Sequence, residues 1–521
     1  MAAEYSKQRT RQHVVSVQDA GAARADHGAM DTNTPPRHCP YHTAPASGDA
    51  HAGAAVAHTA PPALPPLMQP PGSWPPGPPS GLTGWGLLRS MARDMLGSLD
   101  RWRTQYGKLV HLRIWPEHQI VVTDPQLVRE LLLTHHDALI RWERGVAVFS
   151  QVHGHSVLTA EGEAWRTKRH TLQPRFTPKE VAAYVPQISE ASSAALQQWH
   201  DGSGDVPDHA TESAITSLTM EVILHFMFSS AAGIDARSIE QAVHCVTVAG
   251  NAEFYWPASW PDSMPWKRTK RRAVATLEHL IQGQIDARLT LARAAWPDDV
   301  LSRLLSLHDD DPQAWPRQAV HDECMTAFLA GHETTAASLT WWAWCMAANP
   351  AAQASAHAEI RSVLQGRTPG AGDLPALTYL NMTLQETLRL YPAAPMLLTR
   401  RAIRPITLGG WQFPARTLFS VPMQLMQRDA AWFSDPQAFR PERFASTAAS
   451  PPRGAFMPFG AGPRVCLGQH LATTEMMVMA AMLLQRFELH VPDGAAPPQQ
   501  AFHITLRPAQ PLRLRLVARQ P

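Results

Sequence analysis

Long stretches whose apolar residues recur every three to four positions dominate the chain from Leu82 onward, and they limit the fold more than any other feature. They lie near 84–106, 124–134, 161–172, 178–200, 211–229, 268–294, 317–348, 351–365, 376–391 and 468–486. This spacing lays apolar side chains along one face of a helix. Strand-like runs are short: VHLRIW (110–115), IVVT (120–123), ITLGGWQF (406–413) and LFSVPM (418–423). The sequence therefore predicts a mainly α fold with small β-sheets. With 45% hydrophobic and 17% charged residues, there is enough apolar material for one large core. No internal repeat or second proline-rich linker divides it.

The beginning of the chain reads differently. Residues 1–70 are rich in Ala, His, Pro, Gly and Thr, and PPGSWPPGPPSG follows at 70–81. Such a segment cannot bury enough apolar surface to offset its ordering entropy. A disordered extension over 1–70 and one large domain over 71–521 are expected. The net charge of +2 argues against nucleic acid as the main partner. No run reaches the roughly 18 apolar residues that span a bilayer; the longest, Met476–Leu484, is too short. The start, MAAEYSKQRTRQHVV, lacks the apolar core of a secretory signal. The five cysteines, Cys39, Cys245, Cys324, Cys345 and Cys466, form no Cys-x-x-Cys pair. That argues against a zinc site or a disulfide framework and fits a reducing, cytoplasmic compartment.

One cysteine stands apart. PFGAGPRVCLGQH (458–470) places Phe459, Gly462, Arg464, Cys466 and Gly468 in the pattern Phe-x-x-Gly-x-Arg-x-Cys-x-Gly. Gly460 and Gly462 permit a tight turn, and Pro463 stiffens it. Cys466 directly precedes an apolar helix whose free N–H groups and dipole stabilise a thiolate. Gly468 allows a flat group to approach the helix start.

The loop resembles the signature of the cytochrome P-450 superfamily, and the likeness extends over roughly residues 75–518. The resemblance implies a cytochrome P-450 fold with a single heme domain, heme b (iron protoporphyrin IX) and Cys466 as the iron ligand. It also implies oxygen activation, since a thiolate ligand favours O–O cleavage. Phe459, Gly460, Arg464 and Gly468 would contact the cofactor, with Arg464 on a propionate.

Other motifs agree. AGHETTA (330–336) lies within a long helical pattern. In the family this helix crosses the distal face of the heme, with Ala330 close to the ring. Thr334 and Thr335 can bond back to carbonyls one turn earlier. Glu333 and Thr334 form the acid–alcohol pair expected to deliver protons to reduced oxygen, the acid acting through water; His332 is read as non-catalytic. Glu386 and Arg389 in TLQETLRLYP share a helix face, and the family joins their equivalents to Arg443 of FRPERF in a network that holds the cysteine loop. Trp165 and Arg169, four apart in EGEAWRTKRHTLQPRF, match the family's propionate-binding helix. Arg166, Lys168 and His170 compete with them. Arg400, with Arg401 as the alternative, supplies a further propionate contact.

The substrate pocket should be apolar. By position, Val146, Phe149 and Val157 of a 145–157 loop, Phe226, Phe254, Trp256, Ala327, Phe328 and Met396–Leu398 are candidates, Leu397 among them. No flavin or iron–sulfur domain is expected on the chain, and a separate electron donor is expected instead, a ferredoxin or flavodoxin with its reductase. The leading expectation is a monooxygenase acting with O2 on an apolar small molecule. A heme-thiolate peroxygenase or isomerase, and a non-catalytic heme sensor, remain the alternatives.

Overall fold

The computed structural model describes residues 74–199, 205–229, 235–255 and 264–519. The expected disordered extension over 1–70, Cys39 and Trp256 lie outside the described residues. Helices predominate, and the expected mainly α architecture with small sheets is the one found.

The organising element is the helix Arg317–Ala348, 32 residues long. It is buried around its whole circumference in its second half, as an all-round apolar helix must be. Trp341 and Trp342 are fully buried there. Each indole N–H finds an acceptor: Trp341 donates to the Leu506 carbonyl at 2.8 Å and Trp342 to Thr383 Oγ1 at 2.9 Å. Buried indoles need such partners to offset their desolvation. The helix Gln469–Arg486 packs against this central helix and against Pro178–Gln198. Its Met476–Leu484 run is wholly buried, which explains why so apolar a stretch is core rather than membrane. Among the described residues, no helix is long and apolar enough to cross a membrane.

The largest sheet orders its strands Leu109–Ile114, Glu117–Val122, Leu418–Ser420, Arg400–Ala402 and Leu139–Arg141. Glu117–Val122 and Leu418–Ser420 run parallel, and the other neighbours antiparallel. In its last pair, Arg141 stands directly opposite Arg400. The segment 74–80 has no regular structure, yet it packs on this sheet: the His111 N–H donates to the Pro76 carbonyl at 3.1 Å, and Trp74 stacks on His111 and His118.

Several boundaries differ from expectation. The 84–106 stretch is two helices, Trp85–Arg93 and Met95–Tyr106. They part at Asp94, whose extended backbone ends one helix and whose carboxylate caps the next through Gly97 N–H. The expected 145–157 loop is largely the helix Glu143–His153. The helices Ala236–Glu253 and Val300–Asp310 also form outside the anticipated stretches.

Candidate active site

The cysteine loop is fixed by its own backbone. Cys466 N–H donates to the Phe459 carbonyl at 2.9 Å, and Val465 N–H to the Gly462 carbonyl at 3.0 Å. Gly460 and Gly462 have φ of 77° and 75°, a region that side chains with a Cβ rarely adopt. A Cβ at Gly462 would also lie 2.4 Å from the Leu132 carbonyl oxygen. The helix starts at Gln469 with Gly468 as its N-cap. Cys466 therefore sits just ahead of the helix N-terminus.

The Cys466 side chain opens into a cavity of about 2150 Å³. Typical ligand pockets hold about 300–1,000 Å³, so there is room for a prosthetic group and a substrate together. Cys466 counts as exposed, but its exposed surface faces this interior space. Burial therefore pushes its thiol up, opposed by the Gly468 N–H and the Arg169 charge. Ala330, in the middle of the otherwise buried central helix, is likewise exposed to the cavity. A Cβ at Gly468 would meet no protein atom within 4 Å, and Gly468 lines the same space.

The rim is cationic. Arg141, Arg169, Arg400 and Arg464 all line the cavity. Among the described residues, Glu161 is the only carboxylate paired with them, through Arg464 and, at 3.6 Å, Arg141. Burial, reinforced by the neighbouring Arg141, pulls both Arg400 and Arg464 downward. Guanidinium groups keep their protons in proteins, so the cluster is held at an electrostatic cost that an anion relieves. Arg141 Nε is buried without a partner, and like charges opposite each other on paired strands are destabilising. Arg464 stacks over Trp165 at 3.9 Å, and Arg169 donates to the Val465 carbonyl at 2.7 Å. These residues fit a flat macrocycle with anionic edge groups and a sulfur ligand on one face.

Three of the competing basic residues are engaged with carboxylates. Arg401, which also lines the cavity, pairs with Glu117 at 2.7 Å and Glu143 at 2.6 Å. Lys168 is buried against Glu323 at 2.8 Å, and Arg166 pairs with Glu163 on the exposed face. Arg141 was missed because only the fold brings it beside Arg400, far away in sequence.

On the central helix, the Thr334 hydroxyl donates to the Ala330 carbonyl at 2.7 Å, as expected. Thr335 instead donates to Glu475 Oε2 at 3.3 Å. At Gly331 a Cβ would lie 2.7 Å from Ile223 Cδ1, the flexible end of that side chain. Glu333 does not itself line the cavity, and it accepts from Arg507 at 2.8 and 2.9 Å and from Thr505 at 2.8 Å. Burial works to raise its carboxyl, but the Arg507 charge and hydrogen bonds prevail and hold it at about 2. His332 is buried, bonds the Thr216 carbonyl and stays neutral.

Beneath the cysteine loop, Glu386 and Arg389 are fully buried and paired at 2.7 Å, and Arg443 reaches Glu386 at 3.0 Å. Of the pocket candidates, Val146, Phe149, Val157, Phe254, Ala327 and Met396–Leu398 line the cavity. Phe226 and Phe328 do not. Phe328 and His332 stack on the face of the central helix opposite Ala327, Ala330 and Thr334, and Phe226 packs against Phe176 and Tyr184 in the core.

One cavity is lined by a thiol, by small residues of the central helix and by a cluster of arginines, a set that fits a flat, anionic, sulfur-ligated prosthetic group. The family model described as Cytochrome P450 matches residues 75–516. Cyclooctat-9-en-7-ol 5-monooxygenase of Streptomyces melanosporofaciens is 32% identical, covering 75% of this chain and 84% of its own. Cytokinin hydroxylase of Arabidopsis thaliana is 30% identical, with 75% and 78% covered. Putative cytochrome P450 132 of Mycobacterium tuberculosis is 28% identical, with 83% and 95% covered. The chain belongs to the cytochrome P450 family and is a monooxygenase of that family. Membership implies heme, dioxygen, an electron-transfer partner and an organic substrate.

Proposed function

We propose that this enzyme inserts one oxygen atom from O2 into an apolar organic molecule, by hydroxylation or epoxidation. Heme b is the cofactor, and a separate ferredoxin or flavodoxin with its reductase supplies the electrons. The observation that carries this reading is that Cys466 and Ala330 line one cavity together with Arg141, Arg169, Arg400 and Arg464. When bound, the heme supplies the iron at which oxygen is reduced and split. Cys466 holds that iron, and Arg141, Arg169, Arg400, Arg464 and Trp165 orient the propionates. Phe459, Gly460 and Gly468 leave space for the ring. Thr334 presents a hydroxyl to the oxygen groove. Val146, Phe149, Phe254, Ala327 and Leu397 exclude water and favour a bulky apolar substrate. The relative named for cyclooctat-9-en-7-ol, an alkenol, supports that class. Cysteines 245, 324 and 345 are unpaired thiols, consistent with a cytoplasmic enzyme.

The test is the absorption spectrum of the reduced, carbon-monoxide-bound holoenzyme. A strongly red-shifted Soret band is expected, and an unshifted band in undamaged protein would overturn the assignment of Cys466. The two adjacent arginines should also separate. Arg400→Leu is expected to weaken heme retention, while Arg401→Leu leaves Glu117 and Glu143 unpaired and lowers the unfolding midpoint with heme retention little changed. Heme-to-protein ratio and chemical denaturation measure the two effects.

A further inference from the structure

Arg144 lies in the first turn of the helix Glu143–His153, half-buried on the cavity wall. Among the described residues, no carboxylate pairs with it. Its guanidinium donates from Nη2 to the backbone carbonyl of Glu253 at 3.2 Å, and a guanidinium carries five N–H bonds. The Glu253 carboxylate is closed to it. That carboxylate is buried and accepts from Lys270 at 2.7 Å and from Gln151 at 3.0 Å, while Lys270 also donates to Gln151 Oε1 at 2.7 Å. Of the other carboxylates on the cavity wall, Glu117 and Glu143 are paired with Arg401 and Glu323 with Lys168.

Arg144 also stands apart from the four arginines near Cys466. The charges of Arg141, Arg169, Arg400 and Arg464 act on one another, whereas burial alone pulls Arg144 downward. A cation in the first turn adds to the positive end of a helix dipole, so one anion there answers both. The surroundings are otherwise apolar. Val146 and Phe149 follow on the same helix, Phe254 follows Glu253, and all three line the cavity. Tyr255 lines it too, with its hydroxyl 4.0 Å from the Met95 sulfur, a weak acceptor. Burial pushes that phenol up to about 12, so it keeps its proton to donate.

We propose that the substrate is an amphiphile whose apolar body carries one carboxylate, and that Arg144 binds this carboxylate with the Tyr255 hydroxyl as a second donor. The proposal rests on the monooxygenase reading and narrows its substrate class. One guanidinium matches one carboxylate through two parallel N–H bonds, while a phosphate monoester carries about −1.5 to −2 charges, more than one cation offsets. The closed set of Glu253, Gln151 and Lys270 fixes the carbonyl that holds Arg144, so the fork is set before the substrate arrives. With the acid end held there, oxidation falls on a carbon of the apolar body.

Soret-band titration of the ferric holoenzyme with two ligand pairs tests this: dodecanoic acid against dodecanol, and abietic acid against the alcohol of the same skeleton. Above neutral pH, at least one acid is expected to bind about 10- to 100-fold more tightly than its alcohol. Arg144→Leu should abolish that preference and leave alcohol affinity, heme content and the unfolding midpoint unchanged. Arg144→Lys, which keeps the charge without the fork, should restore part of it. Tyr255→Phe should weaken acid binding about tenfold and alcohol binding little. Arg89→Leu, which removes an exposed cation from the same cavity, should change neither. Wild-type protein that binds no acid more tightly than its alcohol overturns the proposal. So does an equal loss for acid and alcohol in Arg144→Leu, the mark of a residue that only caps a helix end, or a larger acid loss in Arg89→Leu. Failure of the monooxygenase reading would show separately, as a missing red-shifted carbon-monoxide band in the wild type.

Discussion

Arg389→Met is expected to destabilise the protein by about 3–5 kcal/mol, because it leaves a buried charge short of its partner. Arg389 and Glu386 have no exposed side-chain surface. The guanidinium donates to both Glu386 oxygens, to the carbonyls of Gln427 and Pro436 at 2.8 Å, and to that of Ala438 at 3.2 Å. Methionine fills similar volume and replaces none of these bonds. Arg443 and the Arg440 N–H still hold Glu386, which keeps the loss within this range. The effect should reach the cysteine loop. Gln427 donates to the Leu388 and Arg389 carbonyls, and its Oε1 accepts from Met457 N–H at 3.1 Å, just before that loop. Urea unfolding followed by the heme band and by far-ultraviolet dichroism measures it. The heme signal should be lost at or before the backbone transition. An unfolding midpoint equal to that of the wild type would show that the network does not support the loop.

Cys466→Ala should give the opposite pairing: chemistry lost and fold kept. The loop is held by the backbone bond from residue 466 to Phe459 and by the positive-φ glycines, none of which needs the sulfur. The side chain faces the cavity rather than packed core, so its removal creates little new void, and a stability change within about 1 kcal/mol is expected. Without the thiolate, the red-shifted carbon-monoxide band should be absent and substrate oxidation should fall to background. Heme can still be retained through its arginine cradle, so the spectrum and product formation are read together. Turnover at the wild-type rate in the variant would remove Cys466 from the mechanism.

The sequence was most legible where chemistry is packed into short spans. The cysteine loop, the Glu386–Arg389 spacing and the Trp165–Arg169 spacing each lie within one turn or helix, so their geometry follows from local rules. Two things escaped. Arg141 faces Arg400 only because two short strands pair across the sheet, and no local pattern encodes that register. Adjacent residues on the central helix diverge by about 100°, so Glu333 and Thr334, neighbours in sequence, face different surroundings. The same rotation separates Phe328 from Ala327.

The buried pair Lys168–Glu323 has a wider consequence. Glu323 also accepts from Val157 N–H, so one carboxylate fastens the central helix to the helix carrying Trp165 and Arg169. The two helices are thereby tied through a single buried ion pair. The wall formed by Phe149 and Phe254 includes an edge-to-face contact at 5.8 Å between ring centres, which two aromatic side chains can remake in several ways at small cost. Selection for a new substrate is therefore expected to act on the aromatic wall, leaving the ion-paired helices, and the oxygen chemistry they carry, untouched.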